Sequence, residues 1–208
     1  MTTTVLVETG LGNLRSVQNA LTAAGGNVVR TRDPDAIRRA DRVVVPGQGG
    51  FGRCAEVLAG GLAEALNESR ARGVPYLGIC LGLQVLFEGS EEAPGAKGLG
   101  WFPGTVRKLE PAEGLKIPHM GWNQVELSSG GHPVLDAAGG DQTWFYFVHS
   151  FHAVPEDPSL IRGVSGYGPN RITAAVARDN VLATQFHPEK SQAAGLALLR
   201  RFLQGSPS

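Results

Sequence analysis

Pro75-Tyr76-Leu77-Gly78-Ile79-Cys80-Leu81-Gly82-Leu83-Gln84 is the stretch whose reading decides the fold. An apolar run of strand length gives way, with no polar linker, to a run of helical character, and a thiol sits at the joint. Glycines two residues before and two residues after Cys80 permit a tight, strained strand-to-helix turn. Such a turn holds the side chain at its apex clear of the backbone, at the end of a sheet. It also sets Cys80 at a helix N-terminus, where the dipole favours the thiolate, the nucleophilic form. The N–H of Leu81 faces the same point and can stabilise an oxyanion. The competing reading makes Cys80 a small buried hydrophobe, the commoner fate of a lone cysteine; the flanking glycines favour the nucleophile.

Outward from this joint the same alternation repeats. Thr4-Val5-Leu6-Val7 is a β-branched run that stops at the turn Gly10-Leu11-Gly12-Asn13. Leu14, Val17, Leu21 and Ala24 recur at helical spacing, and Gly25-Gly26 ends that helix. Asn27 to Arg30 reads as a second strand, and Asp33-Pro34 as an N-cap with proline at the first helical position. Arg42 to Val45 is a third strand, apolar on both faces, ending at Pro46-Gly47-Gln48-Gly49-Gly50-Phe51-Gly52. A helical segment follows to about Arg72 with Gly60-Gly61 as its weak point, then the Pro75 to Ile79 strand and a helix from Leu81 to Phe87.

Continuous apolar strands alternating with helices predict a parallel sheet covered on both faces. Beyond Phe87 the pattern turns antiparallel, with strands at Thr105 to Leu109, Gln124 to Leu127, Thr143 to Val148, Thr173 to Ala177 and Val181 to Gln185. A closing helix runs from Gln192 to Leu203, with Ser191 as its N-cap. The expectation is an α/β fold with a mixed, mainly parallel central sheet, flanking helices and an antiparallel second half. With no repeat, low-complexity tract or linker, residues 1–208 read as one domain.

Composition narrows the function. Nineteen Lys plus Arg balance nineteen Asp plus Glu, which disfavours a basic nucleic-acid binder or a polybasic membrane docker. At 42% hydrophobic and 18% charged residues the chain has material for a core and is too apolar for disorder. Two cysteines make no disulfide framework, Met1-Thr2-Thr3-Thr4 lacks a basic signal-peptide start, and no run nears the ~18 apolar residues of a membrane span. A cytoplasmic protein is expected, with neither nucleic acid nor membrane as partner.

A thiol nucleophile needs a base, and the base an orienting group. His187, in Gln185-Phe186-His187-Pro188-Glu189, follows an apolar strand and so stands at a strand end. Pro188 keeps His187 extended, and residues two apart in extended chain share a side, so Glu189 can reach the imidazole. Alternatively, Glu189 is a helix-capping carboxylate beside a surface histidine. Pro46 to Gly52 ends a parallel strand too, and a crevice at such strand ends binds ligands. A second oxyanion N–H can come from Gln48 or Gly49; no Gly-Lys-Ser/Thr follows, so the loop is not a P-loop. His149 and His152 flank the aromatic strand and can line the pocket, His132 precedes a proline in a turn, and Cys54 reads as a packed thiol. No histidine has metal-ligand spacing, so no metal is expected.

Gly78-Ile79-Cys80-Leu81-Gly82-Leu83-Gln84 together with His187-Pro188-Glu189 resembles the class I, triad-type glutamine amidotransferases, and Pro46-Gly47-Gln48-Gly49 resembles their oxyanion loop. Gly10 to Leu14, Phe87 to Glu92, Pro118-His119-Met120-Gly121-Trp122-Asn123 and His187 to Ser191 are similar to the glutaminase subunits of imidazole glycerol phosphate synthases. The resemblance implies a flavodoxin-like amidotransferase fold and a Cys80, His187, Glu189 triad, with Leu81, Gln48 and Gly49 as oxyanion donors. It implies that Gln84, Glu92, Ser150 and Phe151 contact L-glutamine and that no cofactor is needed. It further implies a heterodimer with a (β/α)₈-barrel cyclase, docked through a face including Asn13, Met120, Trp122 and Lys190. For Met120 and Trp122 ordinary core is the alternative.

This sequence departs from the family pattern in two places. Glu8-Thr9 stands where Asp-Tyr is usual, and Gln48 where Val or Ala is usual. The remaining readings are a glutaminase for pyridoxal phosphate, anthranilate or guanine nucleotide synthesis, a cysteine peptidase or chaperone-like protein of related architecture, and a binding module without catalysis.

Overall fold

The computed structural model describes residues 2–10, 13–128, 132–140 and 142–205. The Leu11-Gly12 part of the first glycine-rich turn lies outside them. The chain begins β1 (Thr3–Val7), α1 (Leu14–Ala23), β2 (Asn27–Thr31), α2 (Pro34–Arg38), β3 (Arg42–Gly47), α3 (Phe51–Leu58), α4 (Gly61–Ala71), β4 (Tyr76–Cys80) and α5 (Leu81–Gln84). It continues β5 (Gly89–Ser90), β6 (Gly104–Lys108), β7 (His119–Leu127), α6 (Pro133–Asp136), β8 (Thr143–His149), β9 (Phe151–Pro155), β10 (Ile161–Tyr167), β11 (Asn170–Arg178), β12 (Val181–Thr184) and α7 (Gln192–Gln204).

Nine strands form one mixed sheet in the order β2-β1-β3-β4-β12-β11-β10-β7-β8. The pairings from β2 to β12 are parallel, and those from β12 onward to β8 antiparallel. A small second sheet, β5-β6-β9, lies beside it. The central strands β3 and β4 are buried almost end to end, because helices cover both their faces. One apolar cluster, with Val5, Val43, Phe51, Leu66 and Phe102, fills one side. The other, with Leu6, Val44, Leu77, Phe145, Phe186 and Leu198, fills the opposite side.

Local sequence signals account for several boundaries. Asp33 caps α2 by accepting from the Asp35 N–H, with Pro34 at the first position. Gly60, at φ 67°, separates α3 from α4, at the weak point in the sequence. Elsewhere tertiary structure overrides the local reading. The Leu81 to Phe87 helix stops at Gln84, after which Leu86 and Phe87 bond three residues back. That tightening buries the whole stretch in the core. Strand β7 starts at His119, five residues before the sequence suggests, because β8 pairs with it along its length. Strands β9 and β10 escape the sequence reading; their apolar residues alternate too irregularly to mark a period.

Candidate active site

Three parallel strand ends meet at the carboxyl edge of the sheet. The register pairs Gly47 of β3 with Cys80 of β4, and Thr184 of β12 with Ile79 of β4. The Cys80 joint, the Gln48-Gly49 loop and the segment after β12 are therefore neighbours by construction.

The joint itself is strained. Cys80 adopts φ 56° and ψ −103°, outside the regions an L-residue prefers. The flanking glycines permit it by close backbone approach. A Cβ on Gly78 would lie 2.3 Å from the Gly82 carbonyl oxygen, and one on Gly82 only 1.8 Å from that of Val45. Gly47 is similarly confined, since its Cβ would lie 2.5 Å from that of Leu81. Helix α5 is a single turn. So short a helix has little dipole to offer the sulfur, contrary to the sequence reading.

His187 follows β12 in extended conformation, φ −102° and ψ 96°. Its Nδ1 pairs with Glu189 Oε1 at 2.8 Å, and both side chains are buried. Glu189 reaches the ring by a route other than extended chain, because Pro188–Lys190 forms a 3₁₀ turn that brings the carboxylate back. His187 Nε2 has no hydrogen-bond partner among the described residues, and neither has Glu189 Oε2. Burial alone would pull the imidazolium down. The neighbouring Cys80 sulfur and the Glu189 carboxylate outweigh it and push the His187 pKa up to about 10.

Ser191 does not cap α7 with its side chain. Its hydroxyl instead donates to the His187 carbonyl at 2.7 Å and accepts from the Tyr146 N–H at 3.0 Å. The histidine segment is thereby clamped to β8.

A cleft of about 340 Å³ opens over the sulfur, lined by Gln48, Gly49, Cys80, Leu81, Gln84, Glu92, Pro118, Val148, His149, Ser150, Phe151 and Lys190. The residues expected around a substrate thus gather in one place. Several already have partners. Gln84 Nε2 donates to the Phe151 carbonyl at 2.9 Å and to Gln185 Oε1 at 3.1 Å. The Ser150 carbonyl accepts from the Leu109 N–H. Glu92 Oε2 accepts from the Phe51 N–H at 2.7 Å, so it caps α3 while facing the cleft. Lys190 lays its ammonium 5.4 Å from the Tyr146 ring centroid.

Both sequence departures have structural counterparts. Thr9 is fully buried, and its hydroxyl donates to the Pro46 carbonyl. Gln48 Oε1 accepts from the Asn13 N–H at 3.3 Å, while Asn13 itself caps α1 through Ser16. Met120 and Trp122 are 61% and 42% exposed, so they are not core. Trp144, which the sequence places only in the aromatic strand, is 52% exposed on the paired strand.

A buried polar chain also escapes the sequence reading. Asn123 Nδ2 faces His119 Nε2, His119 Nδ1 faces His149 Nε2, and His149 Nδ1 faces the Phe151 carbonyl. Asn123 and the carbonyl fix both tautomers, each ring accepting at Nε2 and donating from Nδ1. Burial pulls the pKa of His119 down to about 4 and that of His149 to about 3, so both rings are neutral. His152 does not line the cleft. His132 caps α6 through Nδ1 to the Val134 N–H, and Cys54 is buried with its thiol pushed up to about 12 by burial. No group of three or more metal-ligating side chains occurs among the described residues. Nor is any of their helices long and apolar enough to cross a membrane.

An elbow cysteine, a carboxylate-braced histidine and a polar cleft at the carboxyl edge of one sheet define a class. Residues 5–205 match the family described as glutamine amidotransferase class-I, and the chain belongs to that family. Two curated relatives are both named imidazole glycerol phosphate synthase subunit HisH. The one from Nitrosomonas europaea is 48% identical over 217 residues, spanning 100% of both chains. The one from Synechococcus elongatus is 47% identical over 199 residues, 95% of this chain and 91% of the relative. Among solved structures, PurLQS from Thermotoga maritima superposes with a TM-score of 0.77 at 20% identity, covering 97% of each chain, which concerns the fold alone.

Proposed function

We propose that this chain is the glutaminase subunit of an imidazole glycerol phosphate synthase, with Cys80, His187 and Glu189 as its triad. The observation that carries the mechanism is a carboxylate-braced His187, its Nε2 without a hydrogen-bond partner among the described residues, beside the elbow sulfur. The near-full-length likeness to HisH subunits carries the choice of synthase.

In the first step the Cys80 sulfur attacks the side-chain amide carbon of glutamine. A C–S bond forms and the carbonyl π pair moves onto oxygen. Leu81 N–H and the Gln48-Gly49 peptide stabilise that oxyanion; losing one such donor typically costs about 10²–10³ in rate. His187, charged by the thiol proton, delivers it from Nε2 to the departing nitrogen. The C–N bond breaks and ammonia leaves a glutamyl thioester. Water then attacks the thioester carbon as His187 takes its proton. The C–S bond breaks, glutamate leaves with the proton of its new carboxyl group passing to solvent, and the imidazolium–thiolate pair is restored. Glu189 holds Nδ1–H throughout, so Nε2 is the nitrogen that exchanges protons. Gln84, Glu92, Ser150 and Phe151 surround the substrate.

Free ammonia at neutral pH becomes ammonium, which is no nucleophile, so the product needs a shielded path. A (β/α)₈ cyclase docked over the cleft supplies it and uses the ammonia to form imidazole glycerol phosphate and aminoimidazole carboxamide ribotide. Met120, Trp122 and Trp144 share one face of the β7–β8 pair, an exposed aromatic and sulfur-bearing patch of the composition interfaces favour. Asn13 and Lys190 flank the docking face.

The test is glutamine hydrolysis by the chain alone, with the cyclase, and with the cyclase plus its nucleotide ligand. Turnover is expected to be poor alone and to rise with both. High turnover of the isolated chain, unaffected by the cyclase, would contradict the assignment.

A further inference from the structure

We infer that Gln185 is a catalytic residue whose side-chain amide donates to the Cys80 sulfur and stabilises its thiolate. The inference rests on the reading of Cys80 as nucleophile and adds a group that the triad does not include. Gln185 Nε2 lies 3.5 Å from Cys80 Sγ, and the side chain is fully buried.

The orientation of that amide is fixed by its neighbours. The Phe151 carbonyl can only accept, and it takes Nδ1–H of His149 as well as Gln84 Nε2. Gln84 must therefore present its nitrogen, and the group it meets on Gln185 must be the oxygen, at 3.1 Å. With its oxygen so engaged, Gln185 has only its NH₂ to turn toward the sulfur. A flipped amide would set oxygen against an anionic sulfur and nitrogen against nitrogen. The chain from His119 through His149, Phe151 and Gln84 thus ends on the reacting atom as a donor.

The sulfur needs such a donor. Helix α5 is one turn long, too short for an appreciable dipole, and His187 acts on the sulfur chiefly through its charge, its Nε2 making no hydrogen bond among the described residues. A hydrogen bond to the charged form favours that form. Gln185 also stands directly after β12, whose register with β4 is set beside Cys80, so the donor is held by the sheet.

The experiment is carbamidomethylation of Cys80 in the full chain, followed by mass spectrometry across the pH range. Buried Cys54 is the internal control. Gln185→Met keeps volume and removes the donor to the sulfur, together with the acceptor for Gln84. Its Cys80 labelling rate at neutral pH is expected to fall about tenfold or more, with the pH–rate midpoint moving up by about one unit. In the complex with the cyclase, Gln185→Glu, which keeps the acceptor for Gln84, is expected to lower kcat while KM stays near wild type. A labelling profile that superposes on wild type overturns the inference. Should Gln185→Met fail to fold, Gln185→Glu decides. It keeps the shape and the acceptor for Gln84 and puts oxygen where the donor stood; the same upward movement is expected, and an unmoved profile overturns the inference. Cys80→Ser separates this from the underlying reading. If Cys80→Ser still hydrolyses glutamine, the nucleophile assignment and this inference fail together. If Cys80→Ser is inactive and both Gln185 profiles are unmoved, this inference alone fails.

Discussion

Two neighbouring strand-to-helix crossings, β3 to α3 and β4 to α5, leave the same edge of the same sheet in opposite ways. The first spends Gln48, Gly49 and Gly50 on the turn; the second spends nothing, since β4 ends on Cys80 and α5 starts at Leu81. Each carries one buried cysteine. Cys54 sits inside α3 among apolar side chains, and burial pushes its thiol up to about 12. Cys80 sits on the joint, with an amide donor and an imidazole beside it. Burial therefore does not distinguish the two thiols. The length of the crossing does, because the zero-residue turn sets its side chain at the strand ends.

The sharpest way to break this contrast is to remove each thiol in turn. Cys80→Ala should lower glutaminase turnover in the complex by at least about 10³-fold, the scale seen when a nucleophile is deleted. Cys54→Ala should leave turnover within about twofold and act on stability alone, through the cavity it opens. Steady-state ammonia release and urea midpoints of both variants check this. Equal losses of turnover would show that the two crossings are not functionally distinct.

Next in size comes the backbone. Gly82→Ala drives a Cβ into the Val45 carbonyl, which the sheet holds in place, so a loss of about 3 kcal/mol or more is expected. Gly50→Ala, in the slack crossing, meets nothing nearer than Glu92 Oε1 at 3.7 Å. Its midpoint should move by no more than about 0.5 kcal/mol. Chemical denaturation of the pair measures both. Similar losses would mean that the loop is as tightly held as the joint.

This contrast also shows how far the sequence could be read. Glycines spaced two either side of Cys80 announce the tight crossing, since only glycine fits where one backbone lies against another. His187 and Glu189 stand out differently, as polar residues placed just past an apolar strand, although the 3₁₀ turn that brings the carboxylate to the ring is not the extended chain the sequence suggests. Gln185 stands in the same position and carries the same signal, a polar side chain closing the run Val181 to Thr184, yet nothing local shows that it faces the sulfur. That follows from register between β12 and β4, a long-range pairing that no short window contains. The His119–His149 pair was hidden likewise, because β7 and β8 bring together residues thirty positions apart. Ser191 looked like a helix cap because its neighbours are helical; its hydroxyl is claimed by β8 and His187 instead.

A third effect separates the crossings by pH. In the unfolded chain a cysteine loses its proton near 9, whereas Cys54 in the fold holds it to about 12. Between those values the unfolded state binds fewer protons, so stability falls as pH rises, by up to about 1.4 kcal/mol per pH unit. Cys54→Ala removes this contribution, so its stability curve should flatten above pH 9 relative to wild type. Urea midpoints on the alkaline side test it. An unchanged slope would place the alkaline loss elsewhere, on Tyr76 first, whose buried hydroxyl is also raised well above its usual value.

The smallest effect concerns a side-chain tether on the slack crossing, from Gln48 Oε1 to the Asn13 N–H at 3.3 Å. It is long and partly exposed, so Gln48→Val should change stability by no more than about 0.5 kcal/mol. Its consequence is local. Without the tether the Gln48-Gly49-Gly50 amides should exchange with solvent severalfold faster, because Gly49 at φ 110° adds no steric restraint of its own. The amides from Gly78 to Gln84 should exchange as before, since strand pairing and the glycine contacts hold that joint independently of the loop. Hydrogen–deuterium exchange resolves the two segments. Faster exchange in both would mean that the slack crossing braces the tight one, and that the mobility of the Gln48-Gly49 peptide and the strain at Cys80 are a single property of the sheet edge.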